Sequence, residues 1–272
     1  MPTSTPTPRY AQHFLIDTLV VDRLVDMIAP RAGERMVEIG PGNGVLTDPL
    51  LAALGSLDVV EIDPQLATRL QRRFGPRSGL RVHQVDALTF DFEALALADQ
   101  PLDRPKPAPE KRLRVVGNLP YYISTPLLFH VLTCATTVKD MIFMLQLEVA
   151  QRLVAQPGSR EYGRLSVMAQ YRCGAELVFD VPPKAFRPSP KVHSAVVRLT
   201  PKAPLQPACD EYWFTTLVSK AFAQRRKTLR NALRSEIDTD TLSAAGIDPE
   251  RRAETVSVSE FVRLANRIGD SS

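Results

Sequence analysis

The chain has 272 residues, of which 44% are hydrophobic, so it is long enough to bury a full core and to carry a smaller second unit. No apolar run approaches the roughly 18 residues that a membrane helix needs. The Pro/Thr/Ser-rich start at 1–11 lacks the apolar centre of a secretory signal and is interpreted as a flexible leader. We therefore expect a cytoplasmic protein without a membrane partner. Its scattered cysteines and histidines have no ligand spacing, and we expect no metal.

Helix-like and strand-like segments alternate along most of the chain. The predicted helices are 18–29, 46–54, 64–74, 126–132 and 148–154. The predicted strands are 35–40, 57–63, 81–85, 113–117, 141–145, 176–181 and 194–199. Strands that alternate with helices specify a mostly parallel sheet covered on both faces, so we predict an α/β fold.

Two segments interrupt this alternation. The stretch 100–111 is rich in proline and charge and is interpreted as a surface insertion. The stretch 201–210 is interpreted as a linker into a helical C-terminal part. We therefore predict a catalytic domain over 12–203 and a small all-α domain over 204–272.

The formal net charge is only +4, so the distribution of charge is more informative than its total. Residues 218–235 include six cations and no acid, and their apolar residues recur at helical intervals. The pattern predicts a helix with one core face and one basic face. An ordinary solvated face is the alternative, but a face without acids favours contact with a polyanion such as the phosphate backbone of a nucleic acid. The candidate residues for binding a nucleic acid, RNA or DNA, are Arg225, Arg226, Lys227 and Arg230.

A glycine-rich loop follows the first predicted buried strand, in the sequence EIGPGNGVLT. Gly40 and Gly42 let the backbone turn tightly and approach a ligand closely, although a purely structural turn is a serious alternative. The spacing GxGxG differs from that of dinucleotide-binding loops and of triphosphate-binding loops. A nucleoside triphosphate is therefore disfavoured as the ligand.

Acidic residues stand at the ends of the next two predicted strands. Glu61 lies about 20 residues beyond the first glycine, at the position where a carboxylate can bind ribose hydroxyls. Asp86 can accept a hydrogen bond from an exocyclic amine such as that of adenine. A solvated strand end and a helix cap are the alternatives for these two acids. Because ligands of open α/β sheets bind at the carboxyl ends of strands, the three features together indicate an adenosine site.

The motifs of this chain resemble, in kind and in order, those of the ribosomal RNA adenine N6-dimethyltransferases of the small-subunit type. The matching motifs are QHFL, EIGPGNGVLT, VVEID, VDAL, VVGNLPYYIST and FRPSPKVHS, between residue 12 and about residue 265. The resemblance implies a Rossmann-like class I methyltransferase fold with a seven-stranded sheet. It also implies S-adenosyl-L-methionine as cofactor, held by residues matching His13, Leu15, Gly40, Gly42, Glu61, Asp86 and Asn118.

The NLPYY motif suits the chemistry that this resemblance implies. The N6 amine of adenine is a poor nucleophile, and the side-chain oxygen of Asn118 and the carbonyl of Leu119 can accept its hydrogens, with Pro120 fixing their geometry. Tyr121 is expected to stack on a flipped adenine, and Phe186 is the candidate for its opposite face. Each of these residues could also be ordinary turn or core structure.

The resemblance further implies the reaction. It implies transfer of four methyl groups to two adjacent adenosines in a hairpin near the 3′ end of 16S rRNA, as a contribution to ribosome biogenesis. The expected partners are 16S rRNA and the pre-mature 30S particle, and the protein is expected to be a monomer. An adenine N6-methyltransferase that acts on another RNA or on DNA is one alternative. An assembly factor that acts mainly by binding is another.

Overall fold

The computed structural model describes residues 13–98, 112–204 and 206–269. The predicted leader at 1–11 and the predicted insertion at 100–111 lie outside the described residues. Within the described ranges, no helix combines the length and the apolar character needed to cross a membrane.

The main element is a seven-stranded sheet with the strand order β4-β3-β2-β5-β6-β9-β7. Its strands are β2 (Met36–Ile39), β3 (Leu57–Val60), β4 (Leu80–His83), β5 (Leu113–Asn118), β6 (Val138–Gln146), β7 (Cys173–Val181) and β9 (Ser194–Pro201). The four pairs from β4 to β6 are parallel. The central strands β2 and β3 are buried along their whole length, as a parallel sheet covered on both faces requires. The predicted α/β fold is confirmed.

Eleven helices accompany the sheet in the described part of the chain. They are α1 (Thr18–Ile28), α2 (Thr47–Leu54), α3 (Pro64–Phe74), α4 (Phe92–Leu97), α5 (Ser124–Thr133), α6 (Leu147–Val154), α7 (Arg164–Arg172), α8 (Glu211–Ala223), α9 (Leu229–Ala232), α10 (Thr239–Ala244) and α11 (Val258–Gly269). Local chemistry sets their starts: Asp17 and Asp63 accept backbone N–H bonds at the starts of α1 and α3.

A two-stranded ribbon was not predicted from the sequence. Strand β1 (Phe14–Leu15) pairs antiparallel with β8 (Phe186–Arg187). The backbone N–H of Ile16 extends the pairing by donating to the carbonyl of Ala185 at 2.9 Å. Strands of two residues carry no detectable periodicity, so the sequence pattern could not indicate them.

The described residues form two compact units. The first contains the described residues up to Leu147 and Val178–Arg198, and the second contains Glu148–Leu177 and the described residues from Leu199 onward. In the second unit, α8 packs against α7 and α11. That the catalytic domain ends at residue 203 and a separate helical domain follows stays a prediction.

The prediction of one long basic helix over 218–235 is wrong. Helix α8 ends at Ala223, Gln224 leaves the helical conformation, and a new short helix, α9, begins at Leu229. Backbone pairing overrides the local periodicity here, because Thr228 forms a bridge with Arg252 and the N–H of Leu229 donates to the carbonyl of Arg251 at 2.8 Å. The regular elements between 206 and 269 are nevertheless helical, as predicted.

Candidate active site

A cavity in the first unit lies at the carboxyl ends of β2 and β5. Eight of the predicted site residues line it, namely His13, Leu15, Gly40, Gly42, Asn118, Leu119, Pro120 and Tyr121. Phe14, Glu38, Asn43 and Ile142 are also part of its wall. The ribbon strand β1, the glycine loop and the NLPYY motif therefore meet at one place, which is where open α/β sheets bind ligands.

The glycine loop needs its glycines at two positions on the cavity wall. Gly40 has φ +66° and Gly42 has φ +56°, and both angles lie in the left-handed region that L side chains rarely adopt. A Cβ on Gly42 would stand 3.1 Å from the ring of Phe14, and one on Gly40 would lie 3.6 Å from the carbonyl of Asn118. The loop is therefore packed directly against β1 and the NLPYY motif, with backbone rather than side chains facing the cavity.

Glu61 lies just beyond β3 and is almost fully buried. Its carboxylate accepts the backbone N–H of Gly42 at 3.2 Å and that of Asp63 at 3.0 Å. Burial raises the pKa of Glu61, and these backbone hydrogen bonds act against that rise. Each carboxylate oxygen has a second lone pair, so the group that holds the loop can also accept a ligand hydroxyl. Glu61 is not among the residues that line the cavity, and its contact with ribose stays a prediction.

Asp86 lies after β4 and is partly exposed. One carboxylate oxygen accepts the N–H of Leu88 at 2.9 Å, a local contact within the turn that follows β4 and not the helix cap that was the alternative from the sequence. Asp86 does not line the cavity, so its contact with adenine also stays a prediction.

Asn118 ends β5 and has a fixed amide orientation. Its Nδ2 donates to the backbone carbonyl of His13 at 3.3 Å, so Oδ1 is the end of the amide that remains to accept a hydrogen bond. The next residue, Leu119, donates its N–H to the carbonyl of Met144 at 3.1 Å, which attaches the motif to β6. The acceptors of the motif are therefore held by β1 on one side and by β6 on the other.

The ring of Tyr121 is accessible from the cavity, and its hydroxyl is held by a hydrogen bond. The ring lines the cavity and lies 5.5 Å from the ring of His13, with an angle of 32° between the two planes. The hydroxyl is 2.8 Å from the hydroxyl of the fully buried Ser194. Burial raises the pKa of Tyr121, so the phenol remains neutral in the ordinary pH range. Ser194 was not singled out from the sequence.

Phe186 is buried in the core. It is 3% exposed, packs in the hydrophobic core with Leu15, Val181 and Ala185, and does not line the cavity. The register of the ribbon places it opposite Leu15, on the face that enters the core. Its contact with the second face of the adenine stays a prediction.

Glu38 is a cavity residue that the sequence analysis missed. It is 2% exposed on β2, and its carboxylate accepts the hydroxyl of Thr47 at 2.7 Å. Burial, together with the negative charges of Glu61 and Asp48, raises the pKa of Glu38 to about 7, against the lowering effect of the Thr47 hydrogen bond. An acid inside a buried apolar strand was the available signal, since buried carboxyls are rare without a partner.

The predicted RNA-binding cations lie in the second unit and are exposed. Arg225 pairs with Glu254 at 2.8 Å, and Arg230 pairs with Glu250 at 2.8 Å. Among the described residues, Arg226 and Lys227 have no ion pair. Acids from other parts of the chain thus offset part of a cluster that contains only cations in sequence.

Comparison with known proteins assigns the chain to a family. The family described as "Ribosomal RNA adenine dimethylase" matches residues 4–270. The chain belongs to the ribosomal RNA adenine dimethylase family. It is therefore a methyltransferase, and the methyl donor of this family is S-adenosylmethionine.

Relatives of this dimethylase match over nearly their whole length. "Ribosomal RNA small subunit methyltransferase A" of Laribacter hongkongensis is 53% identical, over 97% of this chain and 97% of the relative. The protein of the same name from Chromohalobacter salexigens is 50% identical, over 100% of this chain and 94% of the relative. These relatives favour the small-subunit interpretation over the alternatives of another RNA, DNA or a binding factor.

Solved structures confirm the fold of the dimethylase. A dimethyladenosine transferase from Plasmodium falciparum superposes with a TM-score of 0.77 over 95% of this chain and 98% of that chain, at 22% identity. The 23S rRNA methyltransferase ErmE superposes with a TM-score of 0.67 over 94% and 99%, at 26% identity. The predicted class I methyltransferase fold with a helical C-terminal part is confirmed.

The cavity fits the cofactor of the family. The left-handed glycines present backbone to the cavity, a side chain on Gly42 would crowd the ring of Phe14, and a fixed carboxylate follows the next strand at Glu61. S-adenosylmethionine carries a positive charge, and the ionisable Glu38 on the wall offers a complementary negative charge. The residues present can therefore hold this cofactor.

Proposed function

We propose that this dimethylase converts two adjacent adenosines in a hairpin near the 3′ end of 16S rRNA to N6,N6-dimethyladenosine, as a step of small-subunit biogenesis. The observation that supports it most is the meeting of the glycine loop, Asn118 and Tyr121 in one cavity of a chain of this family. The names of the relatives support the small ribosomal subunit as the source of the RNA.

The target amine is held by two acceptors. The Asn118 Oδ1 and the Leu119 carbonyl accept the two hydrogens of N6, which directs the nitrogen lone pair out of the ring plane. Because the Asn118 amide is fixed by His13 and the Leu119 backbone by Met144, the geometry exists before the base arrives. Bound S-adenosylmethionine would supply an activated methyl group on a sulfonium, so no covalent intermediate with the protein is needed, and the N6 proton that the methyl group replaces leaves to solvent after the transfer.

The target base is held by stacking. Tyr121 offers its ring to the flipped adenine, a contact worth about 1–3 kcal/mol per base. Its hydroxyl is bonded to Ser194, so the protein holds the outer end of the ring in place. The second methylation uses the same acceptors, with one of them released from the amine because only one hydrogen remains.

Residues at three strand ends and in the segment of β1 would hold the cofactor. Gly40 and Gly42 would lie against it, Glu61 would accept hydrogen bonds from its ribose hydroxyls, and Asp86 would accept one from its adenine amine. His13 and Leu15 would cover it, and their place in the cavity wall supports this assignment.

The protein acts as a cytoplasmic monomer on the pre-mature 30S particle, with residues 12–203 as the catalytic domain and 204–272 as an RNA-binding domain. Arg225, Arg226, Lys227 and Arg230 contact RNA phosphates, which their exposure supports. Light scattering of the purified protein measures its molar mass and so tests whether it is a monomer.

The function is tested by substrate choice. The protein is incubated with S-adenosylmethionine labelled in the methyl group and with unmethylated small subunits, large subunits or duplex DNA. Transfer to small subunits with little transfer to the other two supports the proposal. Equal or greater transfer to DNA or to large subunits would refute it.

A further inference from the structure

A segment with exposed cations borders the cavity in the first unit. We call residues 182–193 the rim segment; its sequence, PPKAFRPSPKVH, contains no acid. Lys184, Arg187 and Lys191 are all exposed. A solvated face of a protein usually mixes both signs of charge, so a stretch of one sign calls for a partner of the opposite sign.

The rim segment is fixed to the wall of the cavity. Its β8 residues pair with Phe14 and Leu15 of β1, and the carbonyl of Pro188 lies 2.7 Å from Nδ1 of His13. His13, Phe14 and Leu15 all line the cavity. At its far end, the carbonyl of His193 accepts the N–H of Leu147 at 2.9 Å. The cations therefore stand at a set position beside the site.

The register of the ribbon decides which of its faces carries Arg187. Residues directly opposite each other in an antiparallel pair have their side chains on the same face. Leu15 and Phe186 share the face that enters the core, so Phe14 and Arg187 share the other one. The ring of Phe14 contacts the glycine loop and lines the cavity. Arg187 is therefore an exposed cation on the same face of the ribbon as a residue of the cavity wall.

No acid of the described ranges offsets the charges of the rim segment. Among the residues that the structure describes, Lys184, Arg187 and Lys191 form no ion pair. By contrast, Arg225 and Arg230 of the second unit pair with glutamates. A phosphate at the rim segment therefore displaces only water and counterions, which makes these cations suitable for binding nucleic acid.

We propose that the rim segment binds the backbone phosphates that flank the target adenosine. A base can enter the cavity only if its nucleotide turns out of the stack about its own backbone, and the flanking phosphates must then be held while the base is inside. Arg187 is placed for the phosphate next to the target, and Lys184 and Lys191 for its neighbours. This inference depends on the proposed function for the identity of the RNA, but its test does not.

The test compares two double variants that remove the same charge. Lys184→Gln with Lys191→Gln changes the rim segment. Arg31→Gln with Arg77→Gln removes two exposed arginines that precede β2 and β4, at the opposite edge of the sheet from the cavity. Binding of a hairpin RNA with two adjacent unmethylated adenosines is measured against salt concentration. Arg187→Gln is measured alone, because Arg187 is part of the ribbon.

The rim variant should show a log–log salt slope shallower by about 1.4–1.8, the contribution of two phosphate contacts. The unmodified protein should then lose about tenfold more affinity than the variant between 50 and 200 mM salt. The control variant should keep the slope of the unmodified protein. Melting temperature and S-adenosylmethionine affinity, which phosphate contacts do not affect, should be unchanged in both.

Equal slopes for the unmodified protein, the rim variant and the control would overturn the rim inference. So would a slope that falls by the same amount in the rim variant and in the control. Methyl transfer to small subunits is measured in parallel on the unmodified protein, and failure there counts against the proposed function alone. The salt slope is a binding measurement and decides the rim inference in either case.

Discussion

The hydroxyl of Tyr121 and the hydroxyl of Ser194 lie 2.8 Å apart, in hydrogen-bonding contact, and join the NLPYY motif to the start of β9. Ser194 is fully buried, so its oxygen has no water to exchange with. The contact holds the outer end of the aromatic ring in place beside the cavity. Ser194 therefore acts as a positioning residue for the surface on which the adenine is proposed to stack.

Removal of this contact should weaken stacking without changing cofactor binding. Ser194→Ala should raise the KM for RNA by about 3–10-fold, the value of one hydrogen bond of roughly 0.5–1.5 kcal/mol. In the Tyr121→Phe background, the same Ser194→Ala change should have no further effect. Quenching of 2-aminopurine placed at the target position measures the stacking directly. Additive effects of the two changes would show that Ser194 acts by another route.

Asn118 should act on the chemical step. Asn118→Ala removes an acceptor that is proposed to bind the reacting amine, and kcat should fall about 10²-fold or more, as for a preorganised polar group. The melting temperature should change little, since the side chain makes one long bond to His13. Asn231→Ala, an exposed asparagine of α9, is the control and should keep full activity. Single-turnover kinetics separate the chemical step from binding, and an unchanged rate in that experiment would contradict the role of Asn118.

Asp86 can be tested apart from its local turn contact. Asp86→Asn keeps an oxygen for the N–H of Leu88 but removes a carboxylate acceptor, so S-adenosylmethionine affinity should fall by about tenfold with little change in stability. Asp91→Asn is the control, because Asp91 also accepts a nearby backbone N–H, that of Ala94, at the start of α4. Calorimetry gives both affinities. An equal affinity of the two variants would mean that Asp86 is only a turn residue.

The raised pKa of Glu38 should make the stability of the protein depend on pH. Burial raises its pKa from 4.5 to about 7, so between these values the folded state holds a proton that the unfolded state has lost. The free energy of unfolding should therefore fall as the pH rises through this window. Glu38→Gln cannot ionise and should lose this part of the dependence. Urea unfolding at pH 5 and pH 8 compares the two proteins, and parallel pH profiles would refute the raised pKa.

Ionisation of Glu38 should also make cofactor binding depend on pH. Only the ionised carboxylate attracts the cationic cofactor, so S-adenosylmethionine should bind more tightly as the pH rises through about 7. The effect should disappear in Glu38→Gln and persist in His13→Asn, which changes another polar side chain of the cavity wall. An unchanged pH dependence in Glu38→Gln would contradict the role of Glu38.

The sequence predicted those features that local patterns encode. The alternation of strands and helices located the sheet, and the strand ends located the glycine loop, Asn118 and Tyr121. Both ends of helix α3 were predicted at the correct residues, because Asp63 and Pro64 mark its start and Gly75 marks its end. Each of these signals lies within a few residues of the feature it specifies.

Features that depend on distant pairings could not be predicted in this way. The β1–β8 ribbon joins segments far apart in sequence, and its register decides that Phe186 enters the core and Arg187 does not. The partners of Arg225 and Arg230 come from a later part of the chain, so the local run of cations overstated the net charge of that surface. Ser194 gained significance only when the fold brought it to Tyr121.

The most direct test of the account is the product on the RNA. Unmethylated small subunits are incubated with S-adenosylmethionine and either the unmodified protein or Asn118→Ala, and the nucleosides of the 16S rRNA are identified by mass spectrometry. The account predicts N6,N6-dimethyladenosine at two adjacent positions near the 3′ end with the unmodified protein, and little with the variant. Methylation at other positions, or equal product from both proteins, would contradict it.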